Sequence, residues 1–227
     1  MQIIELQNLT YMLLPLLFVG YFYYKWVGNK TEIIYATFKM FAQLLLIGYL
    51  LGYIFEAKSS LVTLVVVLVM ITAASFITIR NITCKSKKLY FSIFFAIFVG
   101  GSINLFLVLF FVLDLDSFNT PRYVIPLAGM LYSNCMNAVS LVAERFEKEM
   151  QHAGYEEARS IAFKASMIPQ INAFLAVGLV SLPGTMTGQI LAGADPLIAA
   201  RYQIMVMLMI LGSAGISTII YLLQKSS

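Results

Sequence analysis

Apolar residues in this chain gather into long blocks, and the charged ones fall between the blocks. Residues 61–79, 89–113, 123–143, 165–194 and 202–224 contain no charged side chain. Each block is near or above the roughly 20 residues that a helix needs to cross about 30 Å of hydrocarbon. Residues 6–24 are also uncharged. Residues 33–55 hold only Lys39, close enough to one end for its ammonium to reach the interface along its own alkyl stem. The pattern predicts an all-α polytopic membrane protein with about seven transmembrane helices. It forms a single transmembrane domain over 1–227, with one soluble segment at 143–164.

Composition agrees. The chain is 60% hydrophobic and 11% charged over 227 residues, with a mean hydropathy of +0.86, whereas about a quarter of the residues in a soluble domain are charged. The N-terminus has no basic stretch and its first apolar run leads into further spans, so no signal peptide is expected.

Charge gives an orientation. Taking alternate loops, one side collects Lys25, Lys30, Arg80, Lys85, Lys87, Lys88, Arg145, Lys148, Arg159, Lys164 and Lys225, joined by Lys39; the other holds Lys58, Arg122 and Arg201. Twelve against three predicts an outside N-terminus and a cytoplasmic C-terminus, because short loops rich in Lys and Arg stay in the cytoplasm. The net charge of +4 is then a topological signal, and no nucleic-acid partner is expected. Cys84 falls in a cytoplasmic loop and Cys135 inside a span, so no disulfide is expected between them.

The soluble segment reads AERFEKEMQHAGYEEARSIAFK. Its charges alternate in sign, with Glu144 and Lys148 four apart, as in a helix. Gly154 interrupts it, and a second helix is predicted from Tyr155 into the next span. Apart from the short basic loops, this is where a cytoplasmic partner has to dock.

Catalytic signatures are missing from the sequence. It contains no G-x-x-x-x-G-K-[ST], no G-x-G-x-x-G after a strand and no H-E-x-x-H, and its one histidine, His152, cannot build a metal cluster alone. No nucleophile, base and orienting group fall together. The chain is therefore not expected to be an enzyme, and energy for pumping has to come from a gradient or a second subunit.

Polar side chains inside a bilayer turn inward, to other helices or to a water-filled path. Here they are Gln43, Asn104, Ser133, Asn134, Asn137, Gln170, Asn172, Thr185, Thr187 and Gln189. None is ionisable, which argues against a proton relay. Asn134 and Asn137 share a helix face with Met130, either as the wall of a cavity or as interhelical hydrogen bonds. The methionines of 205–209 read as packing. Two G-x-x-x-G pairs, Gly48 with Gly52 and Gly184 with Gly188, predict close helix contacts.

One block is interrupted by its own residues: SLPGTMTGQILAGADP, residues 181–196. Proline costs about 3 kcal/mol inside a helix and glycine about 1 kcal/mol. A helix entering at Ala165 covers about 27 Å by Pro183, so a break is expected in the outer part of the bilayer. Thr185, Met186 and Gln189 lie beside it, with Gly184 and Gly188. Broken helices with polar linings recur at transport sites and gates. Asp195 and Pro196 read as the N-cap and first-turn proline of the last helix.

These residues also carry a family resemblance. SLPGTMTGQILAGADPLIAARYQIMVM resembles the signature of FetB-type membrane subunits of ABC transporters, a family of bacterial iron exporters to which plant aluminium-tolerance membrane proteins are related. VIPLAGMLYSNCMNAVSL is similar to the fifth-span motif, and AQLLLIGYLLGYIF to the second span. The resemblance implies a permease of the cell's inner (plasma) membrane that exports iron or a related metal. It implies a permease homodimer with a separate, FetA-like ATPase that holds ATP and Mg, and no cofactor on this chain. QHAGYEEARSIAFKASMIP then resembles the Glu-Ala-Ala coupling loop, although His152, Ala153 and Gly154 stand where a Leu-Gly-Ala type turn is common. Coupling falls to Gly154, Glu156, Glu157, Ala158 and Arg159. The pathway falls to Met130, Asn134, Asn137, Gln170, Thr185, Met186 and Gln189, and the gate to Pro183, Gly184 and Gly188. The plant relatives imply an alternative cargo, an organic solute such as a sugar nucleotide.

Overall fold

A computed structural model of the chain describes residues 5–29, 31–56, 59–80, 82, 85–118 and 120–225. Lys30, Lys58 and Cys84, which enter the charge and cysteine arguments, lie outside the described residues. The chain divides into two compact units, Met1–Glu56 and Ala57–Ser227.

In the first unit, α1 (Leu6–Leu9) runs through a 3-10 turn (Thr10–Met12) into α2 (Leu13–Val27). Gly28 ends α2 in the left-handed conformation at φ +79°, donating its N–H to Tyr24 O, and α3 (Glu32–Glu56) follows. The turn is pinned by Asn29, whose side chain accepts from Thr31 N at 3.2 Å and donates to Glu32 at 3.3 Å. Phe18, Phe22 and Trp26 stack along one side of α2, with centroids 5.0 and 5.1 Å apart. No described residue of this unit is buried. Most of its large apolar side chains are exposed, as lipid contact requires.

The second unit has a core. It contains α4 (Ser60–Ile79), α5 (Lys87–Leu107) continuing into a π turn (Val108–Val112), α6 (Pro121–Glu149), α7 (Tyr155–Ala176), α8 (Gly184–Leu191) and α9 (Pro196–Leu223). Helix α6 is central and touches α4, α5, α7 and α9. Its Val124, Leu127, Leu131, Cys135, Val139 and Val142 are fully buried, repeating every three or four residues as one helix face does. Ile71 of α4, Ile93 and Ile97 of α5 and Val206 of α9 close around them. Hydroxyls in the apolar helices bond back to their own main chain, as Ser75 does to Ile71 O and Thr218 to Ala214 O, both at 2.9 Å.

Close helix approach occurs at glycines other than the predicted ones. A Cβ on Gly100 would lie 2.3 Å from Ser217 Oγ and 2.6 Å from its backbone N. One on Gly101 would meet the Tyr132 ring at 2.3 Å, and one on Gly212 would meet Asn104 Oδ1 at 2.6 Å. A Cβ on Gly48, Gly52, Gly184 or Gly188 would meet nothing within 4 Å beyond its own helix. The G-x-x-x-G spacing permits contact, but only a facing helix creates it.

Among the described residues, five helices are long and apolar enough to cross a bilayer: Glu32–Glu56, Ser60–Ile79, Lys87–Val112, Pro121–Glu149 and Pro196–Leu223. Of the other two expected spans, the first is helical across its 3-10 turn. The sixth is divided, and that division shapes the candidate site.

Candidate functional site

Helix α7 ends at Ala176, earlier than the proline predicts. Only about 17 Å of helix separates Ala165 from Ala176, so the chain leaves helical geometry well before Pro183. Val177 is extended, and Gly178 takes φ +82°, a conformation other L residues adopt only with strain. The Ala176 carbonyl then accepts from Leu179 N at 3.3 Å, Val180 N at 2.8 Å and Ser181 N at 3.1 Å, while Gly178 N donates to Ser181 O at 3.0 Å. The carbonyls of residues 177–180 find no donor among the described residues. Pro183 is a cap rather than a kink: its backbone is extended, and α8 starts at Gly184.

Beyond α8 the chain reverses at Gly193, φ +94°, and enters α9 with the predicted cap. Asp195 Oδ1 accepts from Leu197 N at 2.8 Å and Ile198 N at 3.2 Å, with Pro196 in the first turn. Helices α8 and α9 thus form a hairpin, tied by a short hydrogen bond from Thr185 Oγ1 to Gln203 Oε1. Gln203 is buried, and it is a functional candidate that the sequence reading missed. Its signal was an amide close to the start of the uncharged block 202–224.

Beside the irregular link at 177–183, a cavity of about 360 Å³ is lined by Phe174 and Val177, by Leu182 and Met186, and by Gln203 and Met207. The link's Leu179 and Val180 are 90% and 86% exposed. Irregular main chain at membrane depth is tolerated only where protein buries it or it lines a water-filled cavity. The donors available around this cavity are one amide, thioethers and main-chain carbonyls, with the Thr185 hydroxyl adjoining. Among the described residues, no three His, Cys, Asp or Glu side chains come together to hold a metal ion.

A second polar group sits between α6 and α7. Asn134 Nδ2 donates to Met130 O at 2.7 Å, and buried Gln170 donates from Nε2 to Asn134 Oδ1 at 3.4 Å. Asn137 is exposed on α6, and Gln189 and Gly188 are half-buried on α8. The predicted pathway residues therefore form two groups, one on the α6–α7 pair and one on the α8–α9 hairpin.

At the other end of α7, Gly154 is the N-cap and Tyr155 the first helical residue, as predicted. Glu156 and Glu157 are exposed in the first turn, where carboxylates favour the helix dipole. Arg159 pairs with Glu156 and lies 5.5 Å from the centre of the Tyr155 ring. Ala158 is fully buried, so it packs the fold and presents nothing to a partner. On α6, Glu144 and Lys148 pair at 2.7 Å.

The family model described as uncharacterised protein family UPF0014 matches residues 6–156 and 151–226. The chain belongs to the UPF0014 family. Among UPF0014 relatives, it is 34% identical over 213 residues to "UPF0014 membrane protein slr1647" of Synechocystis sp., covering 86% of this chain and 82% of that one. It is 36% identical over 210 residues to "Probable iron export permease protein FetB" of Escherichia coli (strain K12), covering 84% and 78%. It is 33% identical over 204 residues to "Protein ALUMINUM SENSITIVE 3" of Arabidopsis thaliana, covering 83% and 73%. The resemblance seen at residues 181–207 is borne out over most of the chain. No solved structure matches it.

Proposed function

We propose that this UPF0014 protein is the membrane-spanning permease subunit of an ABC transporter, exporting iron or a related metal from the cytoplasm. A separate FetA-like ATPase, which binds ATP and Mg, supplies the energy. The similarity to an iron export permease supports the cargo. The irregular link at 177–183 carries the pathway, because hydrocarbon cannot satisfy its open carbonyls. Two copies, each turning the link and the α8–α9 hairpin towards the other, enclose those carbonyls and Leu179 and Val180 around a shared passage. The lysine and arginine asymmetry supports a cytoplasmic C-terminus, and the family resemblance supports an inner-membrane location.

A cargo held here meets amides, thioethers and carbonyls, which suits passage and release better than tight capture. The mostly apolar lining of the α8–α9 cavity favours a second reading, an organic solute or a chelated metal. The test is co-purification with the ATPase, reconstitution into vesicles and measurement of ATP-driven iron movement. ATP-dependent iron transport establishes the first reading. ATPase stimulation by an organic solute with no iron movement replaces it with the second.

A further inference from the structure

Three helix ends meet at Tyr155. Its ring packs edge-on against Phe146 in the last turns of α6, with centroids 5.8 Å apart and planes at 79°. Its hydroxyl donates to Leu222 O in the last turn of α9 at 2.9 Å. The closing carbonyls of a helix have no partner within it; Leu222 O takes two outside donors, the other being Lys225 N at 3.0 Å. Arg159, paired with Glu156, places its guanidinium 5.5 Å from the centre of the Tyr155 ring.

Two helices leave this node and both arrive at the irregular segment. Helix α7 leads to the link at residue 177. Helix α9 is continuous over 28 residues, about 42 Å long, and towards its far end Gln203 holds Thr185 of α8. The link and α8 are thus gripped from two sides, by α7 through the chain, and by α9 through the turn at 192–195 and one side-chain hydrogen bond. If α7 slides along α9, the two grips move apart. The Tyr155–Leu222 hydrogen bond joins the two helices beside the turn at 150–154.

We propose that Tyr155 is a positioning residue for coupling: it locks the start of α7 to the end of α9, so that a displacement of the cytoplasmic turn reaches both sides of the link together. This rests on the ABC-permease reading. The test uses the full chain with its ATPase in vesicles and compares cargo moved per ATP hydrolysed. Tyr155→Phe keeps the ring and removes only the donor; hydrolysis continues while cargo moved per ATP falls about fivefold or more. Thr185→Val, at the far grip, gives the same kind of loss, and the double variant loses no more than the worse single one. Phe146→Leu is the control for packing alone, lowering the melting temperature and leaving the ratio unchanged. A parental ratio in Tyr155→Phe overturns the inference, as does an equal fall in Phe146→Leu. A parent pair that moves neither iron nor an organic solute overturns the transporter reading itself, and this inference with it.

Discussion

Gln203 carries the main burden on the α8–α9 hairpin, because its amide is buried and its bond to Thr185 joins two helices. Interhelical hydrogen bonds in membranes contribute about 0.6–2 kcal/mol. Gln203→Leu and Thr185→Val are each expected to destabilise by about 1 kcal/mol, and the pair by clearly less than the sum, since both remove one bond. Thermal unfolding in detergent checks this. Gly100 and Gly48 make a second contrast. Gly100→Ala drives a methyl into the backbone of Ser217, which cannot swing away; an overpacking cost of about 1–3 kcal/mol follows. Gly48→Ala meets open space in mid-helix and is expected to raise stability by up to about 1 kcal/mol.

Among the elements, the segment from Ala176 to Asp195 depends on backbone conformation more than on side-chain packing. Gly178 and Gly193 sit at φ +82° and +94°, whereas Gly184 has ordinary geometry with free space around it. Gly178→Ala and Gly193→Ala are each expected to cost about 1–2 kcal/mol and to reduce ATP-driven transport. Gly184→Ala should spare stability. Parallel melting and vesicle-flux measurements separate these outcomes, and equal behaviour of the three variants would remove the link from the mechanism. The proline and glycine content of 181–196 announced an interruption, but its start at residue 177 did not follow from local propensity. There the helix stops because Gly178 turns left-handed and Ala176 O becomes the acceptor for the turn. The Asp195 cap, the Tyr155 helix start and the Glu144–Lys148 pair were legible because each joins residues within four of one another.

Across the whole molecule, exposure of apolar residues has two meanings. Leu45 on α3 is 77% exposed in regular helix, where every main-chain group is paired and lipid is a sufficient neighbour. Leu179 is 90% exposed beside open carbonyls, where lipid is not. With Cys84 and Cys135 replaced, Leu179→Cys is expected to react with a water-soluble maleimide or to cross-link to a second copy, and Leu45→Cys to do neither. A Leu179→Cys chain as inert as the Leu45→Cys chain would show the link facing hydrocarbon.

The sequence alone determined that this chain lives in a bilayer, roughly where it crosses and where one block is interrupted. Those properties add up residue by residue, from transfer into hydrocarbon and from short-range backbone preference. The tertiary structure decided which glycines touch a neighbour, that Gln203 and not Gln189 meets Thr185, that Ala158 is buried, and that Tyr155 joins α7 to α9. Each of these is a relation between segments up to 117 positions apart, and no local pattern encodes a partner at that distance.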